Sequence, residues 1–520
     1  MNIYSTVSTR VGMESVRNSN QTMVSKWADF SLPIAFVVFL GVLSYVLSPR
    51  HMMWGDEFLA WHLLADASWK HAYHEWLSGA DGGGISYYIL GRAVMALTNR
   101  SPQIMRVYSA VCMGLGGLIW FRMLRRHYSL LAVTLSVSLI WLCNWTFLDE
   151  SFQVRFYGQF VFAFALAAYG FVQVEEKALT PRAGFLIAFT STAFMVHTHM
   201  LGLCFSGILL ASLLFSGQTV QTRIWQTVGI LLGWVTLAPF IQAIRSSAHG
   251  QQWIQMPTVQ DVVRHYLHSS IYLGSSLLTT DIAGFALLTF VSVALWMRHR
   301  QGHLLARESQ DRYLVIIALL GMLSPLGLYL VSHLGKPVFA TRYLMPQLMS
   351  LCVLIALAID VFLARVSPKL QVGIGGLAFA LLAVIQIATL HSVIRDAFQP
   401  RSDLDPLLAI EGDKPVVIFN APLWEQLWFY EGSKAHRFLM FHSQSLSIPF
   451  APEYAPMTVL DEDFLNNTQD FLFIDDKLSD LIYRDFGETF LGDPKWKVTP
   501  RGTVNMRGEI APIYEVKKVR

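Results

Sequence analysis

Hydrophobic positions along this chain come in long runs, each closed by a short polar loop. The runs cover about 30–49, 104–121, 129–146, 157–174, 183–198, 200–215, 225–243, 280–297, 313–332, 343–363 and 371–391. A helix needs about 20 apolar residues to cross the hydrocarbon of a bilayer, where every backbone polar group must be bonded within the segment. The pattern therefore predicts an all-α polytopic membrane bundle of about 11 transmembrane helices. The stretch 84–98 is apolar but short and carries Arg92, so it reads as a partial or re-entrant helix, or as one further span.

Near Phe398 the pattern changes. Pro415 to Asn420, Phe438 to Phe441, Phe471 to Ile474 and Ile513 to Val516 read as strands, with helices over Ala421 to Tyr430 and Leu478 to Phe486. Strands alternating with helices predict a small α/β domain. No Gly-rich phosphate loop follows its first strand, so no nucleotide site is expected there. The chain divides into an N-terminal segment (1–29), a transmembrane domain (30–395, with a first outer loop at about 50–103) and the C-terminal domain (396–520).

Composition agrees. Of 520 residues 53% are hydrophobic and only 14% charged, against about 25% charged in ordinary soluble domains. The net charge of +3 gives no reason to expect nucleic acid. The four cysteines, Cys112, Cys143, Cys204 and Cys352, fall inside expected spans without metal spacing and read as packing residues.

Lys and Arg set the orientation, because they are retained in cytoplasmic loops. One set of loops carries Arg10, Arg17 and Lys26, then Arg122, Arg125 and Arg126, then Lys177 and Arg182, Arg223, Arg298 to Arg312, and Arg365 with Lys369. The N-terminus is then cytoplasmic and the C-terminal domain extracytoplasmic. The opposite loops still hold Arg155, Arg245, Arg264, Lys336 and Arg342. Cations kept outside against the bias point to anion binding.

The outer loops also hold the candidate chemistry. Asp56-Glu57 directly follows the first span, and carboxylates beside hydrocarbon are costly unless used or neutralised. Phe58, Trp61, Ala65, Trp69, Ala72 and Trp76 then recur at helical spacing, predicting an amphipathic helix in the headgroup region. Alone it would be an anchor; with the acidic pair at its N-terminus, Asp56 is placed as a general base. Asp149 and Glu150 precede Arg155, which either binds an anion or pairs with Glu150. His197 and His199 are two apart, a weak metal pattern, and suit hydrogen bonding to a sugar or phosphate, or packing. Lys336 and Arg342 suit a phosphate, or snorkel to the interface. Together these features describe a boundary pocket for a substrate with a phosphate, a polar group and a long hydrocarbon chain.

In the order Asp56-Glu57, Gly82-Gly83-Gly84 to Tyr87-Tyr88 and Arg92, Arg106-Val107-Tyr108, Arg155-Phe156-Tyr157, His197-Thr198-His199 and Arg342-Tyr343 with Pro346, the chain resembles the GT-C membrane glycosyltransferases. It is most similar to the family-39-like group of protein O-mannosyltransferases and aminoarabinose transferases. Members often show Pro-Pro before Tyr-Tyr and Glu two residues before the Arg of Arg-x-Tyr; here those places hold Gly84-Ile85-Ser86 and Gln153.

The resemblance implies an inverting transfer of a sugar from a polyprenyl-phosphate donor to a hydroxyl of a lipid, glycan or protein acceptor, in a bacterial inner membrane. It implies Asp56 as general base with Glu57 as alternative or partner. Arg155, Tyr157, His197, His199, Lys336, Arg342 and Tyr343 would hold the donor phosphate and sugar, and Asp149 and Glu150 would supply a second acidic group. No cofactor or metal is expected, although some GT-C enzymes use a divalent ion. The alternative is a transporter or lipid flippase with a periplasmic domain; the sequence has no internal repeat, which disfavours it.

Overall fold

The computed structural model describes residues 23–49, 53, 55–79, 81–98, 101–241, 254–268, 277–302, 304–306, 309–335, 337–397, 414–418, 429, 438–441, 458–460, 467–474, 496–506 and 509–519. In chain order its helices are α1 (Met23–Leu47), α2 (Gly55–Ala65), α3 (Trp69–Leu77), α4 (Ile85–Ala96), α5 (Pro102–Leu124), α6 (Leu130–Leu142), α7 (Trp145–Ser151), α8 (Tyr157–Lys177) and α9 (Pro181–Thr198). They continue with α10 (Gly202–Ser212), α11 (Val220–Val235), α12 (Val259–His268), α13 (Leu277–Arg300), α14 (Arg312–Gly321), α15 (Ser324–Leu334), α16 (Met345–Leu363) and α17 (Pro368–Ala397). Each of the eleven expected runs is helical. Among the described residues seven segments are long and apolar enough to cross a membrane, and α6 with α7 would make an eighth despite a 61° bend between them. The chain is an integral membrane protein.

The bend is local chemistry: Asn144 caps α7 by accepting from Phe147 N, which starts a new helix where α6 would continue. α4, with 12 residues, is too short to span at about 1.5 Å per residue. Its Arg92 donates instead to the carbonyls of Leu63 and Asp66 at the end of α2. α5, α8 and α16 form the core, with 61%, 78% and 78% of their apolar windows buried; α1, α13 and α17 (22%, 22% and 11%) lie at the rim, where lipid covers them.

The amphipathic helix expected from Phe58 to Trp76 is two helices. Asp66 accepts from Ser68 N and Ser68 from His71 N, so the chain caps and restarts between α2 and α3. Its aromatic face turns inward in part: Phe58 and Trp76 are buried, with Trp76 Nε1 donating to Gly83 O, whereas Trp69 is 43% exposed.

One buried ion pair ties this region together. Arg106, in the second turn of α5, grips both carboxylate oxygens of Glu57 (2.9 and 2.8 Å) and donates to Ser48 O at the end of α1 (3.0 Å). Glu57 Oε1 also accepts from Val154 N (2.8 Å). Four chain segments meet on two side chains almost wholly removed from solvent. The other end of the bundle carries its own pairs, Arg125 with Asp29, Arg126 with Glu176 and Arg298 with Asp311.

Beyond α17 the strands are β1 (Val416–Ile418), β2 (Phe438–Phe441), β3 (Thr458–Leu460), β4 (Asp470–Ile474), β5 (Trp496–Met506) and β6 (Glu509–Lys518), in the order β3-β2-β1-β4-β6-β5. The first four are mutually parallel, and β6 and β5 complete the sheet as an antiparallel pair. Parallel neighbours need crossovers, but both expected helices fall outside the described residues apart from Phe429. β3 and β5 were not expected. Phe429 sets its ring against Phe58 (5.5 Å) and Trp61 (5.0 Å) of α2.

Two outcomes follow. Arg106→Met leaves the Glu57 carboxylate buried without its cation, which costs about 3–5 kcal/mol; thermal unfolding in detergent should show a markedly lower midpoint, and an unchanged one would refute the latch. In the sheet, hydrogen bonding from Lys414, with Arg501 and Lys517, lowers the Glu515 pKa to about 2. A lowered folded pKa stabilises above the unfolded value and loses that stabilisation as pH falls through the folded one. Sheet stability should therefore drop as pH falls from about 4.5 towards 2, and Glu515→Gln should flatten that dependence in pH-resolved hydrogen exchange.

Candidate active site

Asp56 and Glu57 are neighbours with opposite fates. Glu57 points into the bundle and its oxygens are taken by Arg106 and Val154 N. Asp56, one residue earlier in the first turn of α2, faces outward with its side chain 24% exposed. Its Oδ2 accepts from Arg342 Nη2 (2.9 Å) and lies 3.8 Å from Arg155 Nη2. A carboxylate that is held yet accessible suits proton transfer.

Arg155 is buried where α8 begins. Its Nη1 donates to Asp81 Oδ1 (2.6 Å) and to Asp56 O (2.8 Å). Burial works against the guanidinium charge, but Asp81 and Asp56 outweigh it and raise the Arg155 pKa, so it stays a cation. Asp81 also accepts from Gly83 N and from the Tyr88 hydroxyl. Sequence reasoning missed Asp81, although it stands directly before the Gly82-Gly83-Gly84 run already singled out.

That glycine run is pressed against the turn after α9. Gly84 N donates to Thr198 O (2.8 Å), and a Cβ at Gly84 would sit 2.0 Å from His197 O. Ser86 and Gln159 both bond the Thr198 hydroxyl.

Arg342 sits in a short 3-10 turn (Thr341–Leu344) with its guanidinium over the rings of Tyr157 and Tyr343, 5.9 and 5.8 Å from their centroids. His199 stacks on Phe156 (4.4 Å between ring centroids) and lies 5.4 Å from Tyr343. Leu201 N donates to His199 Nδ1, so the neutral ring carries its proton on Nε2. Among the described residues, that Nε2, the Tyr157 hydroxyl and Glu150 Oε2 are buried without a hydrogen-bond partner. Buried polar groups are normally satisfied, so these three are equipped for a ligand.

The other expected residues scatter. His197 bonds Thr236 and packs on Phe240. Asp149 accepts from Gln153 Nε2 (3.0 Å). Lys336 lies outside the described residues. Beside the 3-10 turn, a cavity of about 590 Å³ runs between α7 and α12, lined by Trp145, Arg264, His265, Phe339 and Thr341. Among the described residues no three His, Cys, Asp or Glu side chains form a group able to hold a metal.

No family model and no curated protein sequence matches the chain. Two crystal structures of ArnT from Cupriavidus metallidurans do match in fold. The form bound to undecaprenyl phosphate superposes with a TM-score of 0.54 at 13% identity, covering 93% of this chain and 97% of that one. The apo form gives 0.56, also at 13% identity, over 95% and 98%. The chain has the ArnT fold. The GT-C-like bundle expected from the sequence is therefore the architecture found, with a C-terminal sheet appended.

Within that fold the glycine run sets the position of Asp81, and through it Arg155. Gly84→Ala should drive the 81–88 segment off the turn after α9, exposing it to limited proteolysis and lowering the unfolding midpoint; resistance equal to the parent protein would show that the contact at Gly84 does not matter.

Proposed function

We propose that the chain is a membrane glycosyltransferase that moves a sugar from a polyprenyl-phosphate donor to an acceptor hydroxyl, with Asp56 as general base. The observation that carries this reading is the shared grip of Arg342 on Asp56: an accessible carboxylate and a partly exposed guanidinium meet 2.9 Å apart at the mouth of the bundle. ArnT, whose fold the chain shares, is bound to undecaprenyl phosphate in one of its structures, and the 590 Å³ cavity lined by Thr341, the residue before Arg342, and by Arg264 offers space for a lipid-linked phosphate.

In the reaction the acceptor oxygen attacks the anomeric carbon while the bond from that carbon to the phosphate oxygen breaks. The acceptor proton passes to Asp56, and the polyprenyl phosphate departs with the bonding electrons. Attack opposite the leaving group inverts the anomeric centre. Charge accumulates on the departing phosphate, and fixed cations aimed at it lower the barrier.

Arg342 is that cation, with Lys336 as a second. Arg155 acts less directly, since Asp81 and Asp56 already engage it; it positions Asp56. When the donor phosphate engages Arg342, the Asp56 carboxylate is released from its hydrogen bond and is free to face the acceptor hydroxyl. The Nε2 donor of His199, the Tyr157 hydroxyl and the ring of Tyr343 serve the sugar, and Glu150 is the second acidic group. Glu57, held by Arg106, supports α2 and takes no part in proton transfer.

On this reading transfer takes place on the extracytoplasmic face of a bacterial inner membrane, with the N-terminus inside and the C-terminal sheet outside, as the distribution of Lys and Arg among the loops suggests. The sheet would bear on the choice of acceptor.

With a polyprenyl-phosphate sugar and candidate acceptors, Asp56→Asn should lower transfer by about 10²–10⁴-fold while leaving donor binding intact. Arg342→Ala should lower it by about 10²–10³-fold. Full transfer by Asp56→Asn would remove the base assignment; absence of transfer or donor hydrolysis with every lipid-linked sugar tried would overturn the glycosyltransferase reading.

A further inference from the structure

A second recess lies at the other end of the bundle. Between α1, α5, α6 and α17 is a cavity of about 270 Å³, walled by Phe36 and Phe39 of α1, Phe121 of α5, Val137 and Leu142 of α6, and Gln386 of α17. Its closed side forms where α5 is bare: a Cβ on Gly117 would lie 2.8 Å from Phe36 and 3.0 Å from the Trp141 indole nitrogen, so α1 and α6 both approach α5 there. Its open side faces the bilayer, because Leu32 is 42% and Phe39 37% exposed and α17 is the least buried of the apolar helices. The hydroxyl of Thr134, also in the wall, is satisfied by Leu130 O. From Thr134 to Leu142 the recess runs about 12 Å along α6 at 1.5 Å per residue. Left empty, such a recess forfeits dispersion contacts on every wall.

A cation directly follows one of its wall residues, Phe121, in the chain. Arg122 is exposed in the last turn of α5, beside Phe121, with its guanidinium 5.4 Å from the centroid of Phe30. Its neighbours Arg125 and Arg126 are ion-paired with Asp29 and Glu176, whereas Arg122 faces no carboxylate among the described residues. Charge above and hydrocarbon below fit an amphiphile with an anionic head.

We propose that this recess binds an anionic diacyl phospholipid, one acyl chain filling the groove between α1, α6 and α17 and the phosphate resting on Arg122. The site is independent of the sugar donor: Arg122 lies about 24 Å along α5 from Arg106, at the face opposite Asp56. Its occupant bridges the first and last helices of the bundle, which no described side-chain hydrogen bond joins directly.

The test is native mass spectrometry of the full-length protein in detergent, with phosphatidylglycerol, phosphatidylcholine and a polyprenyl phosphate added in equal amounts. Phosphatidylglycerol should be retained about fivefold over phosphatidylcholine, the preference expected from one surface cation. Arg122→Gln should abolish that preference, and Ser138→Phe, which fills the groove, should lower retention of both phospholipids. Equal retention of the two by the parent protein, or an unchanged preference in Arg122→Gln, would overturn the proposal. Displacement of phosphatidylglycerol from the Arg122-dependent site by the polyprenyl phosphate would also overturn it. Because Arg122 is exposed, its variant tests the head-group contact even should Ser138→Phe fail to fold.

Discussion

The arrangement rests on the buried fork between Arg106 and Glu57. A carboxylate beside a membrane span is expensive, and this one is neutralised by a guanidinium from the second turn of α5. Because Arg106 also holds Ser48 O and Glu57 also holds Val154 N, the pair fixes the end of α1, the start of α2 and the approach to α8 together. Asp56 inherits its position from that bond: it is the residue just before Glu57, at a helix start that can no longer rotate.

Around Asp56 the charges form a chain. Asp81 engages Arg155, Arg155 approaches Asp56, and Asp56 engages Arg342. Two cations and two carboxylates nearly cancel, which makes the cluster tolerable at a membrane boundary and leaves it responsive to a further charge. Asp56 is the more exposed of the two carboxylates.

Much of this was legible in the chain. Helix-forming runs in hydrocarbon leave little alternative, so all eleven appear as helices, and Asp56, Arg155 and Arg342 meet as their loop positions suggested. What escaped depended on partners distant in sequence. Nothing local distinguishes Asp56 from Glu57; Arg106, 49 residues on, does. Asp81 gains meaning only from Arg155, 74 residues away. The break between α2 and α3 was legible in Asp66 and Ser68, but the aromatic spacing that runs through them concealed it. His197 and His199, alike in sequence, part because α9 ends between them, sending one ring to Thr236 and the other to Phe156. In the tail, the strand pattern gave four of six strands and missed the long polar β5, whose alternation is interrupted by a register shift between Pro500 and Gly502.

The contact of Phe429 with Phe58 and Trp61 makes α2 a shared part. Its first turn carries Asp56, and its next two rings both pack on Phe429. A change that displaces Phe429 loosens the packing of α2 directly behind the Asp56 carboxylate, so a residue beyond the last apolar helix bears on the start of the first short one.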